Sequence, residues 1–267
     1  MLTKYIVLAI YFGILFLIGI LSSKKIESAS DFFVGGKKLG YWVVAFSARA
    51  TGESGWLLLG LTGMGAMLGL KSLWVVAGEV IGVSICWIFM AKPFKKLSDK
   101  YNSLTIPDYL VSRFNSKNHT LRIVAATVLT VFVTIYISAQ IDATGAAFET
   151  FFGINYFIGA LLGFGIVVFY ILFGGFVAVA WSDLFQGIMM LLGLVALPIT
   201  AYFSLASFGK SQSLFTGLEA INPALINIWG EGGFSIFNLM GIIGFLMIGI
   251  GFLGSPQIFS KIKIESS

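Results

Sequence analysis

Of 267 residues, 58% are hydrophobic and 11% charged, with a mean hydropathy of +0.95, which is more apolar surface than one soluble core hides. The net charge of +5 is spread between apolar segments and not over a soluble basic face, which excludes nucleic acid as a partner. The single cysteine, Cys86, lies in an apolar run, which excludes a disulfide framework and a Cys/His metal site. The composition is that of an all-α, polytopic membrane protein.

A hydrocarbon core of roughly 30 Å takes about 20 apolar residues as a helix. Seven stretches approach that length, at approximately 4–22, 41–68, 72–91, 121–147, 157–177, 184–204 and 234–254. The first has no small-x-small cleavage site ahead of Lys24 and Lys25, so it is read as a retained span and not a signal peptide. The connections after the first, third, fifth and seventh spans hold thirteen of the 17 Lys and Arg, including Lys92, Lys95, Lys96, Lys100, Arg113, Lys117 and Arg122. The other side holds Lys4, Lys71 and Lys210. The positive-inside rule therefore places the amino terminus outside and the carboxyl terminus in the cytoplasm of a plasma membrane protein.

In the longest cytoplasmic loop, "LTIPDYLVSRF" reads as a short interfacial helix behind Pro107, with Tyr109, Leu110 and Phe114 toward the membrane, or as a solvated connector. The external stretch 205–233 reads as loop with one short helix.

The 32 glycines mostly serve close helix packing. Two clusters differ. Thr51, Gly52, Ser54 and Gly55 surround Glu53 in the second span, and Gly249, Gly251, Gly254, Ser255 and Pro256 occur in the seventh. Both predict interrupted helices, whose loose carbonyls suit a hard cation and whose helix amino ends favour a carboxylate. Interrupted helices at corresponding places point to an inverted-repeat transporter, with 41–204 as the first repeat, 234–254 as the start of the second and 4–22 as an extra helix.

Charges within or at the edge of spans are Arg49, Glu53, Glu79, Asp142 and Asp183. Each is a functional candidate because a charge at the bilayer centre costs about 2.5–3.5 kcal/mol. Arg49 and Glu53, at i,i+4, either neutralise each other or are separated by the break, leaving Glu53 for a cation and Arg49 for another acid such as Asp142. Glu79 is placed near water at the external third of its span. Asp142, close to Gln140 and Thr144, reads as a ligand or as part of a polar interhelical network. Asp183, after Ser182, reads as a helix cap or as a functional charge. With one histidine, His119, and no nucleophile–base spacing, the sequence is not that of an enzyme.

"DFFVGGKKLG", "SARATGESGWLLLGL", "SLTIPDYLVSRF", "VTIYISAQ", "GGFVAVAWSDLFQG" and "GFLGSPQIF", in this order and spacing, resemble the sodium:solute symporter family, and within it the sodium/proline group. The resemblance implies a leucine-transporter-type inverted-repeat fold and sodium-coupled uptake of a small organic solute, an amino acid such as proline or similar. Sodium would be the coupling ion, with no other cofactor. It implies sodium ligands at Ala50, Glu53 and Asp183, and solute contacts at Trp56, Tyr136, Phe252, Ser255 and Pro256. Proline symporters carry Asp where this chain has Gly52, and Trp and Tyr where it has Ile248 and Phe252. Family members are roughly twice as long, so residues 1–267 are expected to form an incomplete symporter domain in contact with membrane lipid, inactive without a separate carboxyl-terminal half. The alternative is a membrane sensory or regulatory module derived from a symporter.

Overall fold

The computed structural model describes residues 2–35, 39–52, 54–207, 214–254 and 262. Among these there is no strand. Helix α1 (Leu2–Ser23) is followed by α2 (Ala29–Val34) and α3 (Tyr41–Gly52). A π-helical stretch, Trp56–Leu61, then leads into α4 (Thr62–Leu68). A tight turn, Gly69–Ser72, precedes α5 (Leu73–Ile85), which runs through a second π-helical stretch, Cys86–Ala91, into α6 (Lys92–Lys100). Next come α7 (Ile106–Arg113), α8 (Thr120–Phe152), α9 (Tyr156–Ser207), α10 (Leu214–Ile221) and α11 (Ile236–Ile250), the last ending in a 3-10 turn, Gly251–Gly254.

Among the described residues, four helical stretches are long and apolar enough to cross a membrane: Leu2–Ser23, Trp56–Lys100, Thr120–Phe152 and Tyr156–Ser204. Leu161, Phe132 and Ile10 on these stretches are exposed, as lipid-facing side chains are. The fifth and sixth predicted spans lie in two helical segments, together α9, that meet at Gly175, whose φ of 49° and ψ of −148° are not helical. Glycine is required there twice over, because a Cβ would stand 2.7 Å from the Phe32 carbonyl oxygen. Helical geometry resumes directly after it.

The chain forms two compact units. One comprises Met1–Gly55 and Pro93–Gly187 among its parts. Its core is Leu15, Ile166, Tyr170 and Ala178, with Tyr11, Phe12, Phe16, Val179 and Phe185 packed against it, so that α1 lies along α9. Gly19 brings the two backbones together, its absent Cβ position lying 3.1 Å from the Tyr170 Cα. The loop between α6 and α8 belongs to this unit. There Thr105 caps α7 by accepting from the Asp108 N–H at 3.2 Å. Tyr109, expected to face lipid, instead packs on Phe94 and Tyr101, with ring centroids 4.9 and 6.1 Å away, whereas Phe114 is exposed.

The other unit comprises Trp56–Lys92 and Ile188–Ser255. Its main seam joins α5 and α11. A Cβ on Gly78 would lie 2.6 Å from the Leu246 carbonyl oxygen, and one on Gly82 would overlap the Gly249 carbonyl, so backbone meets backbone. Glu79 lies in this glycine-lined part of α5 and is buried, 7% exposed, so the expectation that it reaches water fails. At the turn before α5, Gly69 (φ 56°) lies against the Leu225 backbone. Lys71 donates to Asn238 Oδ1 at 2.9 Å, and Asn238 donates to the carbonyls of Glu231 and Gly233.

Gly82→Leu is expected to force the α5–α11 seam apart at a cost of about 1–3 kcal/mol or more. The thermal midpoint of the detergent-purified protein measures this. Gly63→Ala, at a position with no atom within 4 Å, is the control that leaves the midpoint unchanged.

Candidate ion site at the end of α3

Helix α3 buries Val43, Val44, Ser47 and Ala48 along one face. Ser47, fully buried, and Thr51, one turn later, present two hydroxyls on this side. Both donate to the same carboxylate oxygen of Asp183, Ser47 at 2.6 Å and Thr51 at 3.3 Å. The approach of α9 that makes this possible depends on Gly187, where a Cβ would be 3.0 Å from the Phe46 ring. Asp183 lies within continuous helix eight residues after the Gly175 bend, so it does not cap a helix start. Its carboxylate spans between elements that are 136 residues apart in sequence.

α3 stops at Gly52 and helix is regained at Gly55. A helix start has backbone N–H groups without intrahelical acceptors, and Gln140 of α8 supplies one: the Gly55 N–H donates to its Oε1 at 2.7 Å. Residue 55 is a glycine because α8 is so near, with a Cβ there falling 2.7 Å from the Ala143 Cβ. The carbonyls of the last turn of α3, Ala50 among them, likewise have no next turn to bond.

These groups are all oxygen donors: one carboxylate, two hydroxyls and the carbonyls of a helix end. Hard oxygen ligands fit a hard cation, and a single carboxylate matches a monovalent better than a divalent ion. Among the described residues no group of three His, Cys, Asp or Glu side chains could hold a metal ion.

The remaining predicted site residues fall as follows. Glu53, Ser255 and Pro256 lie outside the described residues. Phe252 falls in the 3-10 turn that closes α11. Tyr136 is on α8, one turn before Gln140, and is partly exposed. Trp56 follows Gly55, with its indole against Gly60: a Cβ at Gly60 would sit 3.0 Å from Nε1. Arg49 is exposed on α3, away from the Ser47 and Thr51 hydroxyls. Asp142 does not join Arg49. It accepts from the Tyr156 hydroxyl, because the turn at Gly153 folds the start of α9 back along α8 and brings Tyr156 close to Gly145.

Sequence reasoning passed over Ser47, took Gln140 only as a polar neighbour of Asp142 and took Thr51 only as one of the residues around the break. The available signal was the i,i+4 spacing of two hydroxyls on an apolar face.

A family profile for the sodium:solute symporters matches residues 32–263. The chain belongs to the sodium:solute symporter family. The high-affinity proline transporter PutP of Bacillus subtilis (strain 168) is 35% identical over 252 residues, 94% of this chain and 52% of that protein. A sodium/proline symporter of Staphylococcus aureus is 33% identical over 258 residues, 96% of this chain and 49% of that protein. The chain thus spans about half the length of the curated relatives it matches. The fold is similar to that of a Na+-coupled sialic acid symporter solved in a substrate-bound, outward-open state. That match has a TM-score of 0.65 and 19% identity, and covers 97% of this chain and 59% of that one. Members of this symporter family are multi-pass membrane proteins, in keeping with the apolar helices described above.

A double-mutant cycle of Ser47→Ala and Asp183→Asn, read from thermal midpoints in detergent, is expected to give a coupling of about 1.5–3 kcal/mol, the range for a hydrogen bond to a charged group. Gln140→Leu is expected to cost about 1–3 kcal/mol of stability, read as a lower thermal midpoint, because the Gly55 N–H loses its acceptor.

Proposed function

We propose that this chain forms the amino-terminal part of a symporter that couples sodium entry to uptake of a small organic solute, an amino acid such as proline or a similar molecule. The observation that carries the reading is the Asp183 carboxylate held by Ser47 and Thr51 where α3 ends. Together with the Ala50 carbonyl, and with Glu53 in the interruption, these oxygens would bind sodium from within the first helical repeat. Residues 41–204 would be that repeat, α1 an extra helix and 234–254 the first helix of an inverted second copy. Trp56 and Tyr136 would contact the solute, joined by Phe252, Ser255 and Pro256 after α11.

Sodium bound at the end of α3 would hold the interrupted helix against α9. The solute would then bind beside the same interruption, so that occupancy of one site favours the other. The transport cycle calls on the remaining length of such a symporter as well, supplied in the same polypeptide or by a separate one.

The test is uptake of radiolabelled proline and other small amino acids by proteoliposomes holding the protein with its complementing half, in sodium against choline medium. Uptake that depends on sodium is expected. Asp183→Asn is expected to raise the half-maximal sodium concentration about ten-fold or more, in line with losing a charged oxygen ligand. Equal uptake in sodium and choline would overturn the coupling, and an unchanged sodium dependence in Asp183→Asn would remove Asp183 from the site.

A further inference from the structure

The connection between α6 and α8 joins two apolar stretches, Trp56–Lys100 and Thr120–Phe152, each long enough to cross a membrane, so it lies at a bilayer surface. Its charges are unevenly neutralised. Asp99 pairs with Lys95 at 3.2 Å and Asp108 with Arg122 at 3.2 Å. Among the described residues no carboxylate pairs with Lys96, Lys100 or Arg113, and all three side chains are exposed.

Lys96 and Lys100 are one turn apart on α6, opposite the face that buries Ser98. Tyr101 gathers two of the cations. The Lys100 ammonium lies 5.8 Å from its ring centroid. The Arg113 guanidinium at the end of α7 faces its hydroxyl, and that neighbour, more than any other, raises the arginine's already high pKa. Tyr101 is itself held by Tyr109. One residue beyond Arg113 the exposed Phe114 ring supplies an apolar anchor. Cations, interfacial tyrosines and an exposed aromatic ring at the end of an apolar helix are what a phosphate-bearing lipid headgroup with its acyl chains would meet.

We propose that Lys100 and Arg113, which meet at Tyr101, and Lys96, one turn from Lys100 on α6, form a binding site for the headgroup of an anionic phospholipid. The lipid phosphate takes hydrogen bonds from the three cations while its acyl chain lies along Phe114. Positive charge that only sets topology needs no such convergence: here two acids are paired off, Lys100 and Arg113 from two helices meet at one aromatic side chain, and Lys96 lies one turn from Lys100 on α6. The site is separate from the ion and solute residues, so it stands whether or not the transport reading does.

The full chain, purified in detergent, is titrated with dioleoyl phosphatidylglycerol and with dioleoyl phosphatidylcholine, and bound lipid is counted by native mass spectrometry. The wild type is expected to prefer phosphatidylglycerol about ten-fold or more, since each cation near an anionic surface contributes roughly five-fold. K96Q/K100Q/R113Q is expected to bring the preference below about two-fold, and K96R/K100R to keep it. Because all three side chains are exposed, neither variant disturbs the packed core. A triple variant that keeps the wild-type preference overturns the site. Displacement of phosphatidylglycerol by an equal concentration of inorganic phosphate also overturns it, by showing a site for free anions. Failure of inorganic phosphate to displace the lipid supports it.

Discussion

Backbone groups that a helix end leaves unbonded must find partners elsewhere, and the interruption after Gly52 is where this chain meets that requirement most sharply. A helix that stops at Gly52 and resumes at Gly55 exposes carbonyls on one side of the gap and N–H groups on the other. The structure answers from two directions. Gln140 of α8 accepts the Gly55 N–H, and α9 brings Asp183 to the hydroxyls on the last two turns of α3. Three helices are thereby fixed around one gap. Interrupting the helix costs stability, and that cost is offset by side chains that also form the candidate site.

The same economy governs the glycines. Gly55 and Gly187 allow α8 and α9 to approach α3, and replacing either would push away the group that completes the site. Gly175 acts differently: its left-handed backbone turns α9 so that residues 156–174 and 176–187 follow different directions. Without the bend, one straight helix would carry Asp183 elsewhere. Most of the glycines in the apolar stretches are thus packing residues, and a few decide which polar groups meet.

The helical stretches were legible in the sequence because a membrane allows few alternatives to an apolar helix of about 20 residues. The break at 52–55 was legible from a run of poor helix formers within an apolar segment. What local patterns hid were contacts between distant parts of the chain. Asp183 looks like a cap because Ser-Asp before an apolar run has that form, and only the continuity of α9 through the position rules it out. Asp142 looked available to Arg49 until the turn at Gly153 returned Tyr156 to it. Glu79 is flanked by Gly78 and Gly82 on a face that turns out to be packed, and small neighbours at i−1 and i+3 were the clue that this face was not open to water. The family resemblance pointed to Asp183, but its hydroxyl partners emerge only when α3 and α9 are seen together.

The seam between α5 and α11 has a mechanical meaning. Where two helices touch through long side chains, each can slide by a change of rotamer. Here carbonyls lie against the Cα atoms of the opposite helix at Gly78, Gly82 and Gly249, with no side chain between them. Such a joint is keyed. Displacing α11 along its axis by even a fraction of a turn would drive backbone into backbone, so α11 and α5 must travel together, carrying the buried Glu79 as freight.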